Sequence, residues 1–177
     1  CHGFLIIRHM KKLTAILCLL AALLIASVAQ ASSTYEDYYN GDDNYPLIWA
    51  HMGVATYLDK SSLVCQDYNP PCYTLAINVI TVPDADRGNR EISRVTTMRF
   101  FYNWNDRKMY LDRNTGASDW RYLKPTGSNA ESGMSMYVGE AAFYLDYGKK
   151  FYGSRTWYDS YLHRNVTVFN NSFYAKL

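Results

Sequence analysis

The clearest hydrophobic pattern lies between residues 94 and 112. Arg94–Trp104 and Arg107–Asp112 are rich in β-branched and aromatic residues, and Asn105-Asp106 between them suits a tight turn. With the turn there, Tyr102 pairs with Met109, and a slip of one residue would mix the apolar and polar faces. The pattern therefore predicts a β-hairpin of fixed register, whose apolar face holds Met98, Phe100, Tyr102, Met109 and Leu111.

Shorter patterns predict further strands. Leu47–Met52 and Val54–Asp59 flank Gly53 and favour a second hairpin. Tyr73–Val79 alternates apolar and polar residues with the two-residue period of a half-buried strand, and Asp119–Lys124 forms a further short strand.

A late segment has helical spacing instead. Glu140 near its start and Lys149 and Lys150 near its end suit the helix dipole, and Gly153 is placed to end the helix. The residues with this spacing, which form the apolar positions of the helix, are Val138, Ala141, Ala142 and Leu145.

Strands followed by a helix predict an α+β fold, with five or six antiparallel strands and a C-terminal helix packed on one face.

The amino-terminal segment reads as an export signal. Met10 is followed by Lys11-Lys12 and the apolar run Leu13–Ala29, and a small-x-small site predicts cleavage between Ala31 and Ser32. An uncleaved anchor is the alternative, although the run is at the short end of the roughly 17–25 residues that cross a bilayer. We expect export by the Sec route to the periplasm, cell surface or medium, with no membrane span after cleavage.

Removal of this leader divides the chain and changes its charge. We predict upstream residues and signal peptide at 1–31, an acidic flexible extension at 32–46, an α+β domain at 47–153 and an aromatic tail at 154–177. The leader carries three cations and no acid, so the formal charge of +2 becomes −1. No basic block remains, which argues against a nucleic-acid partner.

Cys65 and Cys72 are the two cysteines outside the leader. In an oxidising compartment a structural disulfide is the expected state of such a pair. A metal pair would need more ligands nearby, and a redox pair would need closer spacing.

One short segment resembles a known family. Trp49 precedes Tyr57–Leu63, whose Tyr-Leu-Asp-Lys-Ser-Ser-Leu sequence is similar to the aromatic-x-Asp-x-Ser-Ser-aliphatic segment of the surface-adhesin E-like family of small exported bacterial domains. The resemblance covers roughly Trp49 to Gly153 and implies a single curved antiparallel sheet with a helix packed on it. Better-known members bind host matrix proteins. This chain lacks the lipidated start and the helix cysteine that the resemblance would lead us to expect.

Candidate chemistry is sparse. His51 and His163 have no partner at a catalytic spacing, and Asp84-x-Asp86-x-Gly88 lacks the further ligands of a calcium loop. We therefore predict no catalytic residues, no metal site and no cofactor, and a protein that is not an enzyme.

Aromatic residues are the one excess, with 17 tyrosines, 4 tryptophans and 7 phenylalanines. Tyrosine offers a large contact area and a polar tip, which suits a recognition surface. We predict an envelope binding module for an unknown protein or glycan; a periplasmic structural or assembly factor, dimeric through a sheet edge, and a hydrolase with an unrecognised site are the alternatives. The predicted binding surface is Tyr57, Phe101, Tyr110, Trp120 and Tyr122.

Overall fold

A computed structural model describes residues 34–114, 119–127 and 129–177. The predicted leader and its cleavage site at Ala31 and Ser32 lie outside these residues. Thr34–Leu177 forms one compact unit. Its strands and helices are β1 Leu47–His51, β2 Val54–Asn69, β3 Cys72–Val82, β4 Arg94–Asn103, β5 Lys108–Asp112, β6 Trp120–Tyr122, α1 Asn129–Ser132, α2 Ser135–Tyr147, β7 Thr156–Asp159, β8 Arg164–Thr167 and α3 Asn171–Ala175, with short 3₁₀ turns at Tyr39–Gly41 and Ala85–Arg87.

Strands β1 to β6 form one curved sheet in chain order, and every neighbouring pair is antiparallel. Helix α2 packs on one face, which we call the inner face; the opposite side is the outer face. The predicted α+β class, with a six-stranded curved sheet and a late helix, is confirmed. Strands β7 and β8 form a separate two-stranded hairpin. Within the described residues, no helix has the length and apolar character needed to cross a bilayer.

The hairpin of β4 and β5 has the predicted register. Tyr102 lies opposite Met109, and Phe100 lies opposite Leu111. Phe100, Tyr102 and Met109 are fully buried under α2, because the two-residue period of the strands puts all of them on the inner face.

Helix α2 approaches the sheet most closely at Gly139. A Cβ atom at this position would lie 2.3 Å from Met109 Sδ and 2.9 Å from Phe100 Cδ1, so only glycine fits. The helix ends at Gly148, whose φ of +63° closes it, and not at Gly153 as predicted.

The predicted disulfide is wrong. Strand β2 continues to Asn69 and turns back into β3 through Pro70-Pro71, so the expected loop is the end of a hairpin. Cys65 lies opposite Leu75 on the inner face, whereas Cys72 lies opposite Asn69 on the outer face. Both thiols are free, because side chains on opposite faces of a sheet cannot reach each other.

The acidic extension, which we predicted to be flexible, packs against the sheet over its described residues, 34–46. Tyr35, Tyr39 and Tyr45 pack on the outer face, and the ring centroids of Tyr39 and Tyr57 are 5.6 Å apart. The Tyr35 hydroxyl accepts a 3.0 Å hydrogen bond from the Gly53 amide. This segment therefore covers one half of the outer face and closes a second, smaller core.

Candidate functional site

The other half of the outer face carries four aromatic side chains. Phe101 on β4, Tyr110 on β5, and Trp120 and Tyr122 on β6 form one cluster, which we call the aromatic patch. Their strand neighbours face α2 on the inner side, so the alternation that builds the core also places these rings outward.

Cross-strand pairing fixes the geometry of the patch. Phe101 lies opposite Tyr110, and Tyr110 lies opposite Tyr122. The ring centroids of these pairs are 5.9 and 5.5 Å apart, and Trp120 lies 5.8 Å from Phe101. The rings are tilted by 47–49° to each other, which is a favourable packing for aromatic pairs. Cross-strand contacts thus hold the four rings in fixed positions relative to one another.

The rings remain accessible. Phe101, Tyr110 and Trp120 are half-buried and Tyr122 is 41% exposed. Partial burial raises the pKa of the Tyr122 phenol, a side-chain hydrogen bond with Tyr152 opposes this shift, and Tyr110 adds to it. The Tyr122 hydroxyl therefore keeps its proton at neutral pH.

A charged network borders the patch. Arg99 places its guanidinium 5.1 Å from the Trp120 ring centroid, and its Nη1 donates to Asp112 Oδ2 at 3.1 Å. Its Nε donates to Gln66 Oε1 at 2.6 Å. Because Arg99 is held on both sides, the cation stays at the Trp120 ring and adds a fixed polar border to the apolar surface.

A cavity of about 370 Å³ lies at the free edge of β6, beside the patch. Tyr122 belongs to both the patch and the cavity, and Arg121 and Lys124 contribute two cations. A second cavity of about 440 Å³ shares Lys124 with the first and is bounded by the β7–β8 hairpin. The full lining of the first cavity is Arg121, Tyr122, Lys124, Gly127, Glu131 and Ser132.

One predicted surface residue is misplaced. Tyr57 lies on the outer face, as expected, but it is only 3% exposed because Tyr39 and its neighbours in the amino-terminal segment cover it. Tyr57 is therefore not part of the exposed surface, and the other four predicted residues form the aromatic patch.

The two histidines lie apart from the patch and its cavity. His51 is exposed at the end of β1, and His163 is exposed in the turn between β7 and β8. Among residues 34–114, 119–127 and 129–177, no group of three or more histidine, cysteine or acidic side chains could hold a metal ion.

Glu140 was expected only to interact favourably with the helix dipole, but it is a buried carboxylate. It lies in the middle of α2 with no exposed surface. Its Oε2 accepts from the Tyr152 amide at 2.8 Å, and its Oε1 accepts from the Gly153 amide at 3.2 Å and the Tyr174 hydroxyl at 2.7 Å. Burial raises the pKa of Glu140 even though these hydrogen bonds oppose the shift. The carboxylate therefore ties the carboxyl-terminal segment to the helix.

The sequence did not indicate that Arg121 and Lys124 line a cavity, or that Glu140 is a buried hydrogen-bond acceptor. Each is a single charged residue outside any motif, and its role depends on which neighbours the fold supplies. Comparisons with family models, curated proteins and solved structures found no match for this chain.

Proposed function

We propose that this protein is an exported, non-enzymatic binding module of the bacterial envelope that holds its ligand on the aromatic patch. The single observation that carries the proposal is the cluster of Phe101, Tyr110, Trp120 and Tyr122, whose rings are half-buried or exposed on the outer face of the sheet. Export is supported by the signal-peptide pattern of the sequence, and matrix or glycan recognition by the resemblance to the surface-adhesin E-like family.

The contrast between the two halves of the outer face supports this choice. On the β1–β3 half, three tyrosines of the amino-terminal segment cover the apolar residues. On the β4–β6 half, rings of similar size stay accessible, fixed by cross-strand contacts and by Arg99. Rigid aromatic side chains with polar tips give much contact area for little loss of conformational entropy, which is the property of a recognition surface.

A second candidate is a periplasmic assembly factor that dimerises through a sheet edge. It is favoured by the part of β2 after Lys60, which has no partner strand on that side among the described residues. Val64 and Tyr68 on this edge are 54% and 65% exposed. An unpaired strand edge is a site at which a second chain can add a strand.

Protein purified after expression of the full chain is tested against immobilised matrix proteins and glycans, as wild type and as Trp120→Ala, Tyr122→Ala and Tyr68→Ala. We expect Trp120→Ala and Tyr122→Ala each to weaken binding at least about tenfold, as is typical of central aromatic anchors. Tyr68→Ala serves as the matched control, because it removes an exposed tyrosine whose ring contacts Tyr73 and Tyr147 on the inner face and none of the patch residues.

Circular dichroism and thermal melts confirm that each variant is folded. Light scattering then separates the two candidates. Ligand binding that the two patch variants lose and Tyr68→Ala retains supports the binding module. A wild-type dimer that Tyr68→Ala dissociates, with no ligand bound across the panel, supports the assembly factor and refutes the binding module.

A further inference from the structure

We propose that the ligand of the aromatic patch is an anionic glycan, one of whose acidic groups is held in the adjoining cavity by Arg121. This inference rests on the proposed binding function and specifies its ligand class.

Arg121 is the observation that points to an anion. Its Nε atom is buried and has no hydrogen-bond partner, and no ion pair of the side chain is found within the part of the chain that the structure describes. Burial removes water from the charged Nε–H donor, and no acceptor of the protein replaces that water. A ligand carboxylate or sulfate in the cavity would not reach this buried atom, but it would balance the unpaired positive charge of the guanidinium.

Lys124 adds a second cation to the same cavity. It lines the walls together with Arg121, and its side chain is exposed. Glu131 and the buried Ser132 also line the cavity, and both already have partners. A carboxylate can accept more than two hydrogen bonds, so Glu131 can also accept from ligand hydroxyls. Two cations together with a carboxylate that accepts from hydroxyls match an acidic sugar.

The cavity has the size of a single small-molecule subsite. At about 370 Å³ it lies near the lower end of the roughly 300–1,000 Å³ range of small-ligand sites. An acidic peptide would place further carboxylates beside Glu131, which would repel them. A glycan would instead present hydroxyl groups there, with its charge at Arg121.

The position of the cavity makes it continuous with the patch. Tyr122 lines the cavity and forms one end of the patch, so a chain lying on the rings reaches the cavity at the edge of β6. Arg121 lines the same cavity from the inner side of that edge. The faces of sugar rings present C–H groups, which pack favourably against the electron-rich faces of aromatic rings. Neighbouring residues of one glycan can therefore occupy the patch and the cavity together.

The test uses the protein purified from the full chain and three probes: heparin oligosaccharides with sulfates, oligogalacturonates with carboxylates, and dextran without charge. Titration calorimetry compares wild type with Arg121→Gln, Arg121→Lys and Arg94→Gln. Arg94 is exposed at the start of β4 and provides a control of equal charge change.

We expect wild type to bind heparin or oligogalacturonate at least about tenfold more tightly than dextran, with Arg121→Gln losing that preference. Arg94→Gln should retain the preference for acidic probes. Arg121→Lys should retain part of it, because lysine keeps the positive charge but lacks the planar guanidinium that binds an anion through two hydrogen bonds. The stronger acidic probe identifies sulfate or carboxylate as the recognised group.

The two proposals fail in different ways. Equal affinity for dextran and the acidic probes, or an unchanged preference in Arg121→Gln, overturns the anionic glycan; if Trp120→Ala still abolishes binding, the binding module stands. If the patch binds matrix proteins but none of the three glycan probes, the anionic glycan is likewise overturned and the binding module stands. No binding of any probe or matrix protein overturns both.

Discussion

Replacement of Glu140 by glutamine tests the buried carboxylate directly. The side chain has no exposed surface and accepts hydrogen bonds from the Tyr152 amide, the Gly153 amide and the Tyr174 hydroxyl. Glutamine has nearly the same shape, but it keeps one acceptor oxygen and turns the other into a donor. The substitution therefore places a donor against at least one of these three donors, without opening a cavity.

The expected loss follows from counting these groups. A buried hydrogen-bonding group without a partner costs about 1–3 kcal/mol. With one or two such groups left after Glu140→Gln, we expect the free energy of unfolding to fall by about 1–6 kcal/mol. Domains of this size are stable by only about 5–15 kcal/mol, so the variant should melt well below wild type. Glu91→Gln, at an exposed position, is the matched control and should change little.

The pH dependence gives a sharper test. Burial raises the folded-state pKa of Glu140 above the value of about 4.3 for an unperturbed glutamate, so the folded protein holds this proton more tightly than the unfolded chain. The stabilisation from that proton is complete below about pH 4.3 and is lost as the pH rises through the raised folded pKa.

Urea unfolding of wild type and Glu140→Gln, from pH 7 down to pH 4.5, measures this effect. The difference in unfolding free energy between the two proteins should widen as the pH falls, since the glutamine side chain does not titrate. A difference that narrows instead would refute the reasoning. It would mean that the three hydrogen bonds outweigh burial and lower the pKa of Glu140.

Three further predictions concern packing, hydroxyl bonding and thiols. Gly139→Ala should lower the unfolding free energy in urea by about 1–3 kcal/mol, although alanine favours helix, because its Cβ would lie 2.3 Å from Met109 Sδ; an unchanged or higher value would contradict this contact. Tyr174→Phe removes the 2.7 Å hydrogen bond to the buried carboxylate and should cost about 1–3 kcal/mol in the same assay; no loss would show that the hydroxyl is dispensable. Alkylation of the native protein followed by peptide mapping should find both Cys65 and Cys72 modified, and a disulfide-linked peptide would argue against the observed register.

The part of the fold that could be predicted is the part with a regular period. In β4 and β5 the polar and apolar residues alternate without interruption, so the face and the pairing of Phe100 and Tyr102 could be derived from the sequence. Four of the five predicted surface aromatics were found for the same reason. The end of β2 was missed because its exposed polar residues, such as Gln66 and Asp67, have no apolar alternation and precede two prolines.

The covering of Tyr57 was missed, although a signal for it was present. Val79, Ile80 and Val82 are apolar on both faces of β3, and a strand with apolar residues on both faces is covered on both sides. The tyrosines of the preceding acidic segment were available to provide that cover. The partners of Glu140 and the cavity at Arg121 could not be predicted, since residues far apart in the chain create them.

Strict alternation along β4, β5 and β6 has a practical consequence for engineering. Residues that hold the helix and residues that face the solvent occupy separate positions, so the outward set can be randomised while the inward set stays constant. A library at Phe101, Tyr110, Trp120 and Tyr122 would leave the packing beneath α2 intact. The same sheet can then serve as a scaffold from which binders of new specificity are selected.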